Sequence, residues 1–187
     1  MPETRADNIL MQKVRDGDLA KMAVLFERHH RALFRFFLRL TGDREVSEDL
    51  VQDVYFRMLK YRHTYRDGNP FTSWMYQVAR NVHLDGARKR KGETPLFEEN
   101  MTEPASAEPD PSEILGRRQD LGLLRRALSA LPVEKREVLV LSRFQNLKYE
   151  QIADILACDV GTVKVRVYRA IKALSQIFFE LAGEKAS

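Results

Sequence analysis

The stretch YEQIADILACDVGTVKVRVYRAIKAL, Tyr149 to Leu174, contains two helical patterns separated by a tight turn, and it decides the fold of its end of the chain. The first pattern carries apolar residues at helical spacing, namely Ile152, Ala153, Ile155 and Leu156. The turn ACD follows, and Asp159 in it can accept hydrogen bonds from the free N–H groups that begin the next helix. Because Ala153 is small, the two helices can cross closely. The stretch therefore predicts a helix-turn-helix.

The second helix of this motif has two chemically different faces. At about 100° per residue, one arc is apolar and holds Val163, Val167, Ala170, Ile171 and Leu174. The opposite arc holds Lys164, Arg166, Arg169 and Lys172, with Val165 at its centre. Such a helix can rest its apolar face on a small domain and present its basic face to the major groove of DNA. Val165 can then pack on a thymine methyl group, although isolated exposed valines are also common and need no function.

The charge of the chain is unevenly distributed around this motif. Residues 1–91 carry 18 Lys or Arg and 12 Asp or Glu, and residues 115–187 carry 13 and 8. Residues 92–114 carry seven acidic residues, no basic ones and four prolines. That composition buries too little surface to offset the entropy of ordering, so we expect a flexible acidic linker. The two basic segments suggest a polyanionic partner, although solvated faces on an ordinary helical protein would give the same charges.

Both flanking segments show helical periodicity and weak strand signals. The sequence predicts an all-α fold of two small helical domains joined by the linker, with the helix-turn-helix in the C-terminal one. The expected helices are Leu10–Arg15, Leu19–Leu40, Val46–Lys60, Phe71–Arg90, Arg117–Leu131, Val133–Arg143, Tyr149–Leu156 and Val160–Leu181. In the second helix, core spacing is shared by Leu25, Phe26, Leu33, Phe36, Phe37 and Leu40.

The segment Val46–Lys60 combines an apolar face with an acidic one. Leu50, Val54 and Leu59 can face inward, which leaves an outward patch of Glu48, Asp49, Gln52 and Asp53. An acidic patch in a basic domain would repel DNA, so its functional interpretation is a protein-binding surface. A merely solvated face is an equally good interpretation at this point.

The segment FTSWMYQVARNVHLDGARKRK, Phe71 to Lys91, also contains residues that the packing of a core does not require. Trp74, Met75, Val78, Ala79 and Val82 share an apolar arc, and Trp74 is expected in the core. Polar and aromatic side chains occupy much of the remaining surface, namely Tyr76, Gln77, Arg80, Asn81, His83 and Arg88. Aromatic groups beside Arg and Asn, with a basic end, suit unstacked bases and their backbone.

Several classes of protein are disfavoured by composition. The chain of 187 residues has one cysteine, Cys158, which excludes an internal disulfide and a multi-cysteine zinc site. We expect no cofactor and no metal. No apolar run approaches the length of a membrane span, and the N-terminus lacks the apolar core of a signal peptide, so we expect no membrane insertion and a cytoplasmic protein. Cys158 is interpreted as a small buried turn residue rather than a redox switch.

Taken together and in order, these segments resemble a bacterial RNA polymerase sigma factor of the extracytoplasmic-function type. Region two of that family is matched by EDLVQDVYFRML (48–59) and FTSWMYQVARNVHLDGARKRK (71–91). Region four is matched by LPVEKREVLVL (131–141), YEQIADIL (149–156) and VGTVKVRVYRAIKAL (160–174). The stretch RDGDLAKMAVLFERH (15–29) is similar to the opening helix of the family.

The resemblance implies a division of labour between the two domains. Region two, residues 1–91, would bind the clamp coiled coil of core polymerase through Asp49, Gln52, Asp53 and Phe56. It would also melt the minus-ten element and capture a flipped base, and the loop Tyr61–Asn69 and the following helix match there. The residues implied are Arg66, Asn69, Tyr76, Arg80, Asn81, Arg88 and Lys89.

Region four, residues 115–187, would dock on the polymerase flap and read the minus-35 element. The residues implied are Thr162, Lys164, Val165, Arg166, Arg169 and Lys172. The partners implied are core RNA polymerase, promoter DNA and an anti-sigma factor. No catalysis is required of this chain, because the polymerase supplies the chemistry.

The sequence departs from the family pattern at a few positions. Lys148 stands where the family usually has Ser, at the cap of the first reading helix. Ala157, Cys158 and Asp159 stand where the family often has Gly, an aliphatic residue and Pro. Val165 replaces a common Ser, which should alter promoter preference.

Three other interpretations compete with the sigma factor. A two-domain regulator would use the N-terminal domain to sense a ligand, which leaves the acidic patch and the basic run at residues 88–91 unexplained. A helical enzyme using Asp49, Asp53 and His63 or His83 lacks a nucleophile–base pair or a metal-ligand spacing. An anti-sigma or adaptor protein would not need a helix-turn-helix.

Overall fold

The computed structural model describes residues 2–89, 111–145 and 147–184. The regular structure in these ranges is helical, which confirms the all-α prediction. The helices are α1 (Pro2–Arg15), α2 (Lys21–Thr41), α3 (Arg44–Lys60), α4 (Phe71–Lys89), α5 (Pro111–Ala130), α6 (Val133–Leu139), α7 (Tyr149–Leu156) and α8 (Val160–Glu184). A 3-10 turn lies at Arg62–Thr64, and a π-helical turn at Val140–Phe144 follows α6. No helix within the described ranges is long and apolar enough to cross a membrane.

Helices α1–α4 form the N-terminal lobe, in which α2 packs on α1 and α3, and α4 packs on α1 and α3. Its buried residues include Leu25, Leu33, Phe36, Phe37 and Leu40, as predicted, and Trp74 is buried as well. Phe26 was also predicted in the core, and this is wrong: its side chain is 38% exposed. Its ring lies at the rim of the lobe, stacked on His30 with centroids 4.9 Å apart and edge-on to Tyr55.

Side-chain caps set the starts of α3 and α4. Gly42 ends α2 in the left-handed conformation with φ 73°, and Asp43 then accepts a hydrogen bond from the Val46 N–H at 2.9 Å. Because of this cap, α3 begins before the predicted Val46. The start of α4 is capped from another helix, since Asn8 Oδ1 accepts a hydrogen bond from the Phe71 N–H at 2.7 Å. This contact fixes α1 against the face of the lobe that carries α4.

Helices α5–α8 form the C-terminal lobe, in which α5, α6 and α7 pack on α8. The largest differences from the predicted bounds of this lobe lie at the start of α5 and at the end of α6, and α8 ends at Glu184 rather than Leu181. Helix α5 begins at Pro111 rather than Arg117, and residues 92–110 of the predicted linker lie outside the described residues. The predicted helix Val133–Arg143 changes to π geometry after Leu139, where the Gln145 N–H donates to the Val140 carbonyl at 3.2 Å. This wider turn directs Phe144 and Gln145 toward the N-terminal lobe.

The two lobes contact each other, which the sequence did not predict. Helix α4 packs on α7, and the end of α2 packs on α5, α6 and the π-helical turn. Arg136, which is buried, crosses this boundary: its Nη1 donates to the Leu40 carbonyl at 2.6 Å, and its Nη2 donates to the Leu131 carbonyl at 3.0 Å. Burial lowers the pKa of this guanidinium. We call this juxtaposition of the lobes the closed arrangement.

Candidate nucleic-acid interface

The start of α8 is held by the predicted cap. Asp159 Oδ1 accepts a hydrogen bond from the Thr162 N–H at 2.8 Å, and the Thr162 hydroxyl donates to the same carboxylate. These hydrogen bonds hold the pKa of Asp159 below its ordinary value. Gly161 leaves room for the cap, because a Cβ atom there would lie 2.9 Å from Asp159 Oδ1. Thr162 therefore serves the cap and is only half-buried beside the basic face.

The exposed face of α8 is basic with one apolar residue inside it. Lys164, Arg166, Arg169 and Lys172 are all exposed, and Val165 among them is 47% exposed. On the opposite side Val163, Val167 and Ala170 are buried against the lobe. The predicted division of faces is therefore present, except that Ile171 lies at the exposed edge instead of on the buried arc.

The turn before α8 adopts a conformation that a non-glycine residue rarely takes. Ala157 ends α7 with φ 50° and ψ 50°, in the left-handed region. At the other end of α7, the backbone N–H of Lys148 donates to Gln151 Oε1 at 3.0 Å. This is one half of a capping box. A lysine side chain cannot accept a hydrogen bond, so it cannot supply the other half that Ser would give.

A second exposed surface lies on α3. Glu48, Asp49, Gln52 and Asp53 are exposed together with Phe56, whose side chain is 66% exposed. Leu50 and Val54 on the opposite side are buried, and Leu59 is half-buried. The surface therefore combines carboxylates with a large unpacked aromatic ring, a combination that suits a protein partner with basic and apolar groups.

A concave site of about 220 Å³ lies between the end of α3, the 3-10 turn and α4. It is lined by Arg57, Tyr61, Thr64, Trp74, Gln77, Val78 and Asn81. Arg57 is held at its wall by an ion pair with Asp85 at 2.6 Å. Gln77 and Asn81 were predicted from the sequence to lie on the surface for unpaired bases, and the loop matched to the minus-ten element contains Tyr61 and Thr64. The other lining residues were given no site role from the sequence. The sequence contained a sign of this site, because positions 74, 77, 78 and 81 share one face of α4.

Two predicted residues of α4 lie elsewhere, against the C-terminal lobe. Tyr76 is 4% exposed, its ring packs on Phe36, and its hydroxyl donates to Gln145 Oε1 at 2.6 Å. Arg80 Nε lies 3.1 Å from Glu137 Oε1. Burial raises the pKa of the Glu137 carboxyl, and Arg80 opposes that rise.

The remaining predicted residues of the N-terminal lobe lie on its exposed surface. Arg66, Asn69, Asn81 and Arg88 are exposed, and Arg88 is ion-paired with Asp85. The Tyr65 hydroxyl donates to the Asn69 carbonyl at 2.9 Å, which orders the loop before α4. The side chain of Lys89 lies outside the described residues.

Comparison with known proteins identifies the class. The family model described as sigma-70 region 2 matches residues 25–93, and the one described as sigma-70, region 4 matches residues 121–174. The RNA polymerase sigma factor CarQ of Myxococcus xanthus is 30% identical over 177 residues, covering 94% of this chain and 99% of CarQ. The ECF RNA polymerase sigma factor SigL of Mycobacterium tuberculosis is 31% identical over 167 residues, covering 88% of this chain and 93% of SigL.

Solved structures share the fold. CnrH, solved in complex with the cytosolic domain of CnrY, has a TM-score of 0.70 at 22% identity and covers 94% of this chain and 98% of that one. The sigma factor RpoE from Bartonella quintana, solved with the anti-sigma factor NepR, has a TM-score of 0.68 at 24% identity and covers 83% and 94%.

The helix-turn-helix, the all-α fold and the two matched regions define a sigma-70-type transcription initiation factor. The chain belongs to the family of ECF RNA polymerase sigma factors. Members of this family bind core RNA polymerase and direct it to specific promoters, and this is the function of the present chain.

Proposed function

We propose that each of the three surfaces described above contacts a different part of the initiation complex. The basic face of α8 reads the minus-35 element, the acidic surface of α3 binds the polymerase clamp, and α4 with the preceding loop holds the opened minus-ten element. The corresponding regions are residues 1–91, a linker at 92–114, and residues 115–187. The C-terminal lobe also docks on the polymerase flap.

The observation that carries this proposal is the exposed face of α8. Four cations on one side of a capped helix can contact phosphates across the major groove, and the helix is supported from behind by buried Val163 and Val167. Val165 projects from the centre of that face, where it can pack on a thymine methyl group. Thr162, bonded to the cap, lies where the helix start meets a phosphate.

The concave site on the N-terminal lobe supports a role in holding unpaired DNA. A flipped base needs a pocket with an aromatic wall and a few polar groups for its edge. Tyr61 and Trp74 supply aromatic surface, and the Asn81 amide supplies both a donor and an acceptor. Exposed Arg66 and Arg88 flank this region and suit the phosphates of the displaced strand. Asn69 and Lys89 belong to the same proposed surface. Tyr76 and Arg80 extend it around α4, onto the side that the C-terminal lobe contacts in the closed arrangement.

The α3 surface supports the proposed clamp contact. Its acidic groups cannot serve DNA, and Phe56 offers an apolar anchor of the kind that dominates binding at protein interfaces. Asp49, Gln52 and Asp53 surround that ring with acceptors for a basic partner.

The test of this assignment is a charge reversal on α3. We expect Asp53→Lys to weaken binding to core polymerase by about tenfold or more, because it places a cation against a basic partner. Affinity is measured by competition for core polymerase against a labelled copy of the unaltered chain. The matched control is Asp18→Lys, which makes the same change of charge in the turn between α1 and α2. Equal affinities for both variants would remove the α3 surface from the clamp contact.

A broader experiment tests the function as a whole. Purified chain and core polymerase are used for run-off transcription from a fragmented library of the source genome, and new start sites then give the promoter consensus. Failure of a demonstrably folded chain to bind core polymerase would favour a two-domain DNA-binding regulator instead.

Other aspects of the function follow from the polymerase partner. Bond-making chemistry belongs to the polymerase, so we propose no catalytic role and no cofactor for this chain, and a cytoplasmic place of action. An anti-sigma factor is a further proposed partner, by analogy with the RpoE structure solved with NepR.

A further inference from the structure

Three polar side chains of α1 form a row along one face of the helix. Asn8, Gln12 and Arg15 follow one another at intervals of four and three residues, which places them on the same side. Helix α1 packs on the 3-10 turn and on α4, and Asn8 caps the start of α4 as described above. All three residues precede position 25, where the match to sigma-70 region 2 begins, so that match gives them no role.

The other two members of the row bind the loop before α4. We call residues 61–69 the minus-ten loop. Arg15 Nη1 donates to Asp67 Oδ1 at 2.7 Å, and Gln12 Nε2 donates to the same oxygen at 3.0 Å. Arg15 Nη1 also donates to the Tyr65 carbonyl at 3.5 Å. One carboxylate of the loop is thus held by two side chains of α1.

The minus-ten loop in turn forms part of the concave site. Tyr65 is 2% exposed and packs its ring edge-on against Trp74, with centroids 5.4 Å apart, and Trp74 lines the site. Tyr61 and Thr64, earlier in the same loop, line it as well. Because Tyr65 is only two residues from Asp67, a shift of the loop at Asp67 would move the aromatic wall of the site.

The contact between α1 and the loop is better suited to fixing geometry than to stabilising the fold. The side chain of Asp67 is 63% exposed and that of Arg15 is 25% exposed, and exposed ion pairs add little to the free energy of unfolding. Gly68 follows Asp67 with φ 88°, so the backbone has high conformational freedom at this point. A loop that is already held in its binding conformation loses less entropy when it binds a ligand.

We propose that Gln12 and Arg15 are positioning residues for strand capture, which act through Asp67 on the minus-ten loop. They keep the aromatic wall of the concave site in place and orient Arg66 and Asn69, which are exposed in the same loop, toward the displaced strand. Neither Gln12 nor Arg15 touches DNA in this role. The inference rests on the proposed function in assigning the loop and the concave site to the displaced strand.

The test uses holoenzyme assembled from core polymerase and variants of the full chain. Arg15→Gln removes the cation that binds Asp67, and Gln12→Ala removes the second donor without a change of charge. The control is Lys13→Gln, which removes the same charge from an exposed position on another side of α1. Asp67→Ala, alone and combined with Arg15→Gln, completes a double-mutant cycle.

Two DNA probes separate strand capture from duplex binding. One is a fork-junction fragment of a promoter found by run-off transcription, with the displaced strand of its minus-ten element unpaired. The other is a fully paired fragment that ends upstream of that element. We expect Arg15→Gln and Gln12→Ala to bind the fork several-fold more weakly than the unaltered chain, and Lys13→Gln to bind it equally well. Affinity for the paired fragment and for core polymerase should not change, and Arg15→Gln should add no further loss to Asp67→Ala.

The fluorescence of Trp74 reports on the loop in the free chain. Trp74 is the one tryptophan of the sequence, so its emission is not mixed with that of another residue. We expect acrylamide to quench it more strongly in Arg15→Gln than in Lys13→Gln, because Tyr65 packs on it less closely once the loop is released. A variant that is only less stable would lower the midpoint of urea unfolding without this change in the folded chain.

The contrary outcomes are distinct. Equal fork binding and equal quenching in Arg15→Gln and Lys13→Gln would show that α1 does not position the loop. Additive losses in the double-mutant cycle would show that Arg15 does not act through Asp67. Asn81→Ala, in the concave site itself, tests the proposed function separately. Normal fork binding by this variant would remove the site from strand capture, whereas weak binding by it beside normal binding by Arg15→Gln would overturn the present inference alone.

Discussion

At the scale of single residues, the turn between α7 and α8 carries the clearest strain in the described part of the chain. Ala157 is the one non-glycine residue there with positive φ. An L-residue with a Cβ atom is disfavoured in this conformation by roughly 1–2 kcal/mol. The family pattern often has Gly at this position, and the structure supplies the physical reason.

We therefore expect Ala157→Gly to stabilise the chain by about 0.5–1 kcal/mol, since relief of the strain exceeds the added entropy of the unfolded chain. The measurement is urea-induced unfolding. Ala153→Gly, in the same helix with ordinary backbone geometry, is the matched control and should be destabilising. Loss of stability in both variants would show that Ala157 is not strained.

Val165 is the residue where promoter preference should be most sensitive. We expect Val165→Ser to change preference at one minus-35 position by about 1–3 kcal/mol, because a methyl contact is replaced by a hydroxyl group. Binding of holoenzyme to a set of promoters with single changes in the minus-35 element measures this. A preference profile identical to that of the unaltered chain would make Val165 an ordinary exposed valine.

Residue-level prediction from the sequence succeeded where a side chain's surroundings follow from helical spacing. Val163, Val167, Trp74 and the exposure of Val165 are examples. It failed for Phe26, because the spacing that places it on an inward arc cannot say where the lobe ends. It also failed to single out Arg57, which reaches the pocket through an ion pair with Asp85 on another helix.

At the scale of elements, the reading helix depends on its first turn. Asp159 accepts a hydrogen bond from a free N–H group at the start of α8, and its negative charge interacts favourably with the positive end of the helix dipole. Because its pKa is lowered in the folded chain, this contribution is present above the ordinary Asp range and is lost as the pH falls through the folded value.

We expect Asp159→Asn to lower the midpoint of thermal unfolding at neutral pH, and the difference from the unaltered chain to shrink on acidification. Calorimetry at a series of pH values between about 3 and 7 measures it, a span that includes the ordinary Asp pKa of about 3.9. Asp154→Asn, an exposed carboxylate on α7, is the comparison variant. A difference independent of pH would show that the charge of Asp159 plays no part.

The approximate positions of the helices were predictable because apolar residues recur at helical spacing within each predicted segment. Their ends were less so. The start of α3 depends on Asp43, a local cap that the spacing of apolar residues does not reveal. The π-helical turn after Leu139 packs against α2 of the other lobe, and neither local propensity nor periodicity contains such tertiary information.

At the scale of the whole molecule, the closed arrangement is the feature that the sequence could not supply. It is built from contacts between positions far apart in the chain, such as Arg136 with Leu40 and Tyr76 with Gln145. Helical spacing within either lobe gives no sign that these residues meet.

The buried carboxyl of Glu137 makes the stability of this arrangement depend on pH. Burial raises its pKa, the negative charge of Glu134 acts in the same direction, and Arg80 and Arg166 oppose the rise. A raised pKa means that the contribution is complete below the ordinary Glu value of about 4.3 and is lost as the pH rises through the folded value. The folded, closed chain should therefore gain stability from Glu137 as the pH falls from neutrality.

We expect Glu137→Gln, which is neutral at every pH, to be more stable than the unaltered chain at neutral pH. This advantage should shrink as the pH falls toward the ordinary Glu pKa of about 4.3. Urea unfolding of both chains across this range measures the difference. A difference in stability that does not change with pH would mean that the pKa of Glu137 is the same in the folded and the unfolded chain.

The outward position of α8 in the closed arrangement bears on the order in which the two DNA-binding surfaces can be used. Its basic face is exposed while Tyr76 is buried, so in this arrangement α8 is accessible to duplex DNA and the Tyr76 edge of α4 is not accessible to unpaired bases. Under the function proposed above, contact with the double helix would come first and capture of unpaired bases second. Such a chain could scan double-stranded DNA without stabilising unpaired bases at sites that are not promoters.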